Sequence, residues 1–246
     1  MRPRHPLGRR AVVATLVLAA SAGTLGLFAG PSTAATSRTS TTVAATTVAG
    51  ARSQLASAIA VRQTALHRVL AAAANSKTIV PEDQAVLTGS LTQALTGMNA
   101  LAAKVPTDTT QAAVAADQTA MVQDYRVLAL QVPAGDMVLA ADLAASIAAG
   151  MAARIPAIQK LMAPAANQGS PVPASVKTAF TDFQRQLTAA QSATAGVASS
   201  LLAVLPVAYP GNQSVLTSAR SDLANTRHDL GSAVSDLDTI VAHFHH

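Results

Sequence analysis

Three side chains that could form a polar site lie near a predicted helix break in a chain with few charged or aromatic residues. Tyr125 is one of two tyrosines, Arg126 is flanked by apolar residues, and Asp142 lies within an Ala/Leu/Val run. A short connection between two helices would place them in one helical hairpin. Two interpretations stay open: a structural ion pair between Arg126 and Asp142, which we favour, or a pocket for a polar ligand formed by all three.

The histidines are the other candidate ligands. Three of them close the chain, at His243, His245 and His246, and a His-rich end can bind a transition-metal ion. Glu82 is the only glutamate, so the paired Glu-x-x-His pattern of di-iron bundles is absent. Because chain ends are commonly mobile, we expect a solvated tail here and predict no cofactor.

The sequence contains no motif of a known catalytic class. It has no Gly-x-Ser-x-Gly, no phosphate-binding glycine loop and no cysteine. The lack of cysteine excludes disulfides, a lipid-modified N-terminal cysteine, c-type haem attachment and thiolate metal sites. We therefore predict that the protein is not an enzyme.

The net charge of +5 does not indicate nucleic-acid binding, because it is concentrated at the N-terminus. Four of the seventeen basic residues lie in the first ten positions, which leaves thirteen against twelve acidic residues in the rest of the chain. No basic stripe remains to replace counterions along a phosphate backbone. Aromatic residues make up only 2% of the chain, so base stacking is also poorly supported.

The N-terminus has the three parts of a secretory signal peptide. A basic segment precedes the apolar run Ala11–Phe28, and small residues at 30–35 permit cleavage after Ala34 or Ala35. The alternative is an uncleaved anchor, since a run of this length just spans a bilayer. We predict a signal peptide at 1–35, a secreted or extracytoplasmic protein, and no stable membrane insertion after cleavage.

Apolar residues at helical spacing predict an all-α fold over residues 48–246, after a flexible Ser/Thr-rich leader at 36–47. About six amphipathic helices are expected, near 48–74, 81–105, 108–132, 136–158, 175–204 and 213–244. Pro133-Ala134-Gly135 is predicted to separate the third helix from the fourth, and Pro156 to kink or end the fourth. Short connections favour antiparallel neighbours, and hence an elongated up-and-down bundle. The Pro/Gly-rich segment 163–174 is an alternative boundary between two parts.

A resemblance to a protein group rests on Asp124-Tyr125-Arg126-Val127, Leu130-x-x-Pro133 and Ala141-Asp142. These segments resemble uncharacterised secreted alanine-rich helical proteins of high-GC Gram-positive bacteria. The resemblance implies an exported helical protein and offers no catalytic residues to carry over.

Two functional hypotheses follow from the sequence. The first is a structural or interaction protein of the cell envelope or exterior, whose partner is another protein, an envelope component or a second copy. The alternative is an extracytoplasmic carrier that holds a small apolar ligand, haem or a metal between helices.

Overall fold

The computed structural model describes residues 47–167 and 171–244, and all regular elements in these ranges are helical. The all-α prediction is therefore confirmed. The predicted signal peptide, the leader up to residue 46, and both His245 and His246 lie outside the described residues.

Five long helices dominate the described residues, one fewer than the predicted six. They are α1 (Val48–Asn75), α2 (Pro81–Lys104), α4 (Val132–Ala152), α6 (Ala174–Thr194) and α8 (Gln213–Phe244). Three shorter helices lie between them, namely α3 (Gln111–Gln123), α5 (Ile155–Asn167) and α7 (Val197–Leu202). Two 3₁₀ turns, Val105–Thr107 and Pro206–Ala208, and a π-helical turn, Val127–Gln131, complete the order.

The first and third helices begin at threonine caps. Thr47 Oγ1 accepts a hydrogen bond from the Gly50 backbone N–H at 3.2 Å, and Thr110 Oγ1 accepts one from the Ala113 N–H at 3.2 Å. Each bond satisfies one of the free N–H groups at a helix start. The sequence also allows Thr107 or Asp108 as the cap of the third helix, but both lie before Thr110 and neither caps it.

The break predicted at Pro133-Ala134-Gly135 was also wrong. Pro133 lies in the first turn of α4, where its missing N–H costs no helical hydrogen bond. The chain breaks earlier, between α3 and the π turn, where Arg126 adopts a left-handed conformation with φ of 47°. With the break at Pro133-Ala134-Gly135, Asp136 would have capped the fourth helix. It lies instead inside α4 and forms an ion pair with Arg68 at 2.7 Å.

The predicted fifth helix is interrupted near its end. Gly196 has a φ of 78°, which separates α6 from α7 and which glycine adopts without a steric penalty. The prediction for Pro156 is confirmed, since α4 ends at Ala152 and α5 begins at Ile155.

Helix α4 is the element against which most others pack. It is apolar on all sides, and residues 132–144 are all buried or half-buried, as expected for such a helix. It contacts α1, α6, α7 and α8. Its first half joins a core with α1, α2, α3, α7 and the start of α8, and its second half joins another with α5, α6 and the end of α8.

The run Gln111–Ala163 is the one helical stretch of the described residues that is long and apolar enough to cross a membrane. Of the 18-residue window that meets this criterion, 28% is buried within the structure. A core helix meets the same criterion, so length and composition alone assign no membrane role.

Gly135 marks the closest approach of α4 to α1 and α2. A Cβ at this position would lie 2.8 Å from Val69 Cγ1 and 3.3 Å from Leu87 Cδ1. Both neighbours belong to the core, with 0% and 3% of their surface exposed. They therefore have little freedom to move away.

We predict that Gly135→Ala lowers the free energy of unfolding by about 1–3 kcal/mol through overpacking. The matched control is Gly89→Ala in α2, where a Cβ meets nothing within 4 Å and reduced unfolded-state entropy stabilises the fold by about 0.4–1 kcal/mol. Urea unfolding followed by circular dichroism measures both. Equal stabilities of the two variants would contradict the close approach.

Candidate functional site

The kink between α3 and α4 holds two of the three predicted site residues. The ring of Tyr125 packs directly on Gly97 of α2, where any Cβ would overlap it. The Gln131 Nε2 group donates a hydrogen bond to the backbone oxygen of Tyr125 at 2.7 Å. The ring of Tyr125 and the side-chain amide of Gln131 together hold the backbone in place where the helix breaks.

Arg126 connects this kink to the segment before α8. Its guanidinium carbon lies 4.9 Å from the centroid of the Tyr209 ring, within the range of a cation–π interaction. Its Nε is buried without a hydrogen-bond partner among the described residues. Arg126 is also the one non-glycine residue with positive φ in the described ranges, a conformation that costs roughly 1–2 kcal/mol.

Asp142 does not pair with Arg126 in the structure. It is buried, and its Oδ2 accepts a hydrogen bond from the Val80 backbone N–H at 3.3 Å, where α2 begins. Val80 provides no side-chain cap of its own. Asp142 thus accepts from the N-cap N–H as the acid of a capping box does, but from another helix. Tyr125, Arg126 and Asp142 therefore do not form one cluster.

The electrostatic environment of Asp142 favours its protonated form. Burial raises the pKa of this carboxyl group, the hydrogen bond from Val80 opposes the rise, and the negative charge of Asp83 adds to it. The carboxylate therefore carries an electrostatic cost in the folded protein at neutral pH.

A second charged cluster, which the sequence analysis missed, lies at the other end of α2. The Lys104 ammonium donates to Asp117 Oδ1, and this hydrogen bond raises the pKa of Lys104. Asp117 and Asp108 are only 4% and 5% exposed. Each keeps one buried carboxylate oxygen without a partner in the described residues. The pair holds the end of α2 against α3.

The sequence signal for this cluster was ambiguous. Apolar spacing in the third helix predicts an inner face of Val114, Gln118 and Met121. The structure buries Val114, Asp117 and Met121. Spacings of three and four residues both return to the same side of a helix. The prediction placed Gln118 on the inner face, because a buried aspartate was not expected. Asp117 was therefore placed on the outer face.

The candidate metal ligands at the chain end are only partly described. The His243 ring packs edge-on against Phe244, with centroids 4.9 Å apart. Among the described residues, no group of three or more His, Cys, Asp or Glu side chains is arranged to hold a metal ion. An open depression of about 420 Å³ lies on α8, lined by Ala224, Arg227, His228, Gly231, Ser232 and Ser235.

No protein-family model, characterised protein or solved structure matches this chain. The polar groups described above connect segments of the fold to one another. Arg126 joins the break after α3 to the segment before α8, Asp142 joins α4 to the start of α2, and Asp117 joins α3 to the end of α2. This chemistry is that of positioning helices.

We predict that Arg126→Gly is more stable than Arg126→Ala by about 1 kcal/mol, because both lose the contact with Tyr209 but only glycine relieves the left-handed backbone. Thermal and urea unfolding of the two variants and the parent protein measure this difference. An alanine variant at least as stable as the glycine variant would show that the backbone at 126 is not left-handed.

We predict that Asp142→Asn increases stability at pH 7, since the amide keeps an acceptor for the Val80 N–H and removes the buried charge. The raised pKa means that the parent protein regains this stability as pH falls toward the unfolded-state value of about 3.9, so the two should converge there. Denaturant unfolding between pH 4 and 8 tests this.

The matched variant Asp142→Leu removes the acceptor as well as the charge. It should be less stable than Asp142→Asn by about 0.5–1.5 kcal/mol at every pH, the contribution of one hydrogen bond. An asparagine variant that loses stability at pH 7 would contradict the assignment.

Proposed function

We propose that the protein is an exported helical bundle that binds another macromolecule at the cell envelope or outside the cell and catalyses no reaction. The observation that carries this proposal is an uncovered side of α4. The same side is buried in the first half of the helix and exposed in the second half.

The helical repeat makes this change of environment clear. Gly135, Asp142 and Ala149 are spaced by seven residues and so lie on one side of the helix. Gly135 and Asp142 are buried, the former against α1 and α2 and the latter beside the start of α2. Beyond that point the side is exposed, at Ala145, Ser146, Ala149, Gly150 and Ala153. We refer to these five residues as the open face of α4.

An exposed apolar face next to a packed one is a surface that a partner can cover. The open face continues the helix side that already packs against two helices of the same chain. A partner that presents a helix therefore fits it better than a small molecule does.

An elongated up-and-down arrangement of the helices agrees with this function. Helices α3, α4 and α5 follow one another within a 53-residue stretch. Breaks at Arg126 and between α4 and α5 divide this stretch into consecutive segments. An elongated arrangement of such segments would offer long lateral surfaces and little concave volume.

The alternative hypothesis of a ligand carrier finds less support. That function requires a site between helices. The depression on α8 is lined by described residues of that one helix and is open to solvent.

We predict that native mass spectrometry of protein recovered from the host's culture medium finds a chain that begins at Ala35 or Thr36, without additional mass that leaves on denaturation. The predicted cleavage sites after Ala34 and Ala35 determine these two masses. Bound mass would support the carrier hypothesis instead. Full-length protein confined to the membrane fraction would contradict export by cleavage.

Binding itself is tested by mixing the purified protein with an envelope fraction of the host. Retention of the protein by that fraction, or its assembly with its own copies, is the expected result. A protein that stays monomeric and is not retained would overturn the proposed function.

A further inference from the structure

Two buried carboxyl groups lie where the end of α2 meets α3, and only one of them has an ion-pair partner. Asp117, in α3, binds the Lys104 ammonium through Oδ1, and its Oδ2 is buried without a partner among the described residues. Asp108 lies in the turn that leads to α3. Both acids are more than nine-tenths buried. One ammonium therefore serves two buried acidic groups.

The carboxyl group of Asp108 has the clearest need for a ligand. Within the described residues its side chain forms no hydrogen bond and no ion pair, and its Oδ2 is buried. The nearby Arg52 guanidinium donates to the Pro106 backbone oxygen at 2.8 Å instead. Because a buried carboxylate without a partner is costly, a cation that binds its oxygens would stabilise the fold.

The Lys104 ammonium stands where such a cation would bind. Its hydrogen bond with Asp117 raises the pKa of Lys104, and the negative charge of Asp108 adds to the rise, so both acids act on the same ammonium. The Lys104 side chain is 56% exposed and lies over the buried Asp117. Since a lysine side chain is long and flexible, it can swing into solvent and leave both carboxylates open to an ion.

We propose that Asp108 and Asp117 form a binding site for Ca²⁺, which displaces the Lys104 ammonium and links the turn before α3 to that helix. The charge of a divalent ion matches two carboxylates, whereas one ammonium does not. Calcium accepts oxygen ligands in flexible geometry, so water can complete its shell on the exposed side, while Mg²⁺ demands a stricter octahedron. With two acidic side chains, we expect a Kd of about 0.1–1 mM, as in extracellular calcium-binding modules.

This site is independent of the proposed interaction function. An ion bound this weakly dissociates in calcium-free buffer and adds no mass to a native spectrum recorded there. Retention by the envelope fraction, measured in the same buffer, therefore tests the interaction function alone.

Thermal unfolding with CaCl₂ tests whether the ion binds the folded protein. At ten times the Kd, Ca²⁺ should raise the Tm by about 3–6 °C relative to NaCl of equal ionic strength. The shift with MgCl₂ should be smaller. A Tm that responds to CaCl₂ no more than to NaCl, or a larger response to Mg²⁺, overturns the proposal.

Isothermal titration calorimetry with CaCl₂ on three variants locates the ion. Asp108→Asn disrupts no ion pair and should bind Ca²⁺ roughly tenfold more weakly, since it removes one charged ligand. Lys104→Gln removes the competing ammonium and should bind roughly threefold more tightly, the equivalent of one exposed ion pair. The matched control Asp124→Asn, at an exposed position directly after α3, should bind as the parent protein does.

The variants also separate this site from adventitious binding to surface carboxylates. Equal affinities of Asp108→Asn and Asp124→Asn would show an adventitious ion only and overturn the site. A Lys104→Gln variant that binds no more tightly than the parent would contradict the displacement of the ammonium. Circular dichroism without Ca²⁺ establishes that each variant is folded.

Discussion

The burial of α4 is the constraint on which the structure depends. The first half of this mostly apolar helix is buried or half-buried at every position, and it is covered by α1 and α2 on one side and by α7 and the start of α8 on another. Alanine and glycine make this coverage possible, since Gly135 lets two helices approach at once. Around these close contacts, leucine, valine, isoleucine and methionine side chains fill the core, with very few aromatic residues.

Polar contacts hold both ends of α2 and the segment before α8. Asp142 accepts a hydrogen bond at the start of α2, and Asp117 pairs with Lys104, the last residue of α2. Arg126 contacts the aromatic ring that precedes α8. All three contacts join residues that are distant along the chain or on separate helices. Buried charges are costly unless they are paired, so these contacts are tolerated only in one arrangement of the helices. The three polar contacts fix the position of each helix along its neighbours. A uniform alanine-rich surface alone would allow the helices to slide along one another.

The sequence predicts the elements that local signals define, and it fails where a contact across the fold decides. The spans of α1 and α8 and the interruption near Pro156 follow from apolar spacing and proline chemistry. The break at Arg126 does not, because a cation–π contact and a ring seated on Gly97 stabilise a left-handed arginine that no local rule favours. The supposed pairing of Arg126 with Asp142 failed for the same reason. Arg126 contacts Tyr209 in the segment before α8, and Asp142 accepts from Val80 just before α2. Proximity in the sequence does not indicate either contact.

The two halves of α4 therefore have different surroundings. In the first half of α4, a change at Gly135 or Asp142 affects packing inside the chain, because those residues touch α1 and α2. In the second half the same helix side touches nothing described, so a change at Ala149 alters the surface without disturbing the core. Buried and exposed residues thus occupy different segments of a single face. The two segments meet at Asp142, beside which α2 starts. The buried carboxylate of Asp142 fixes the start of α2 at this point by its hydrogen bond with Val80.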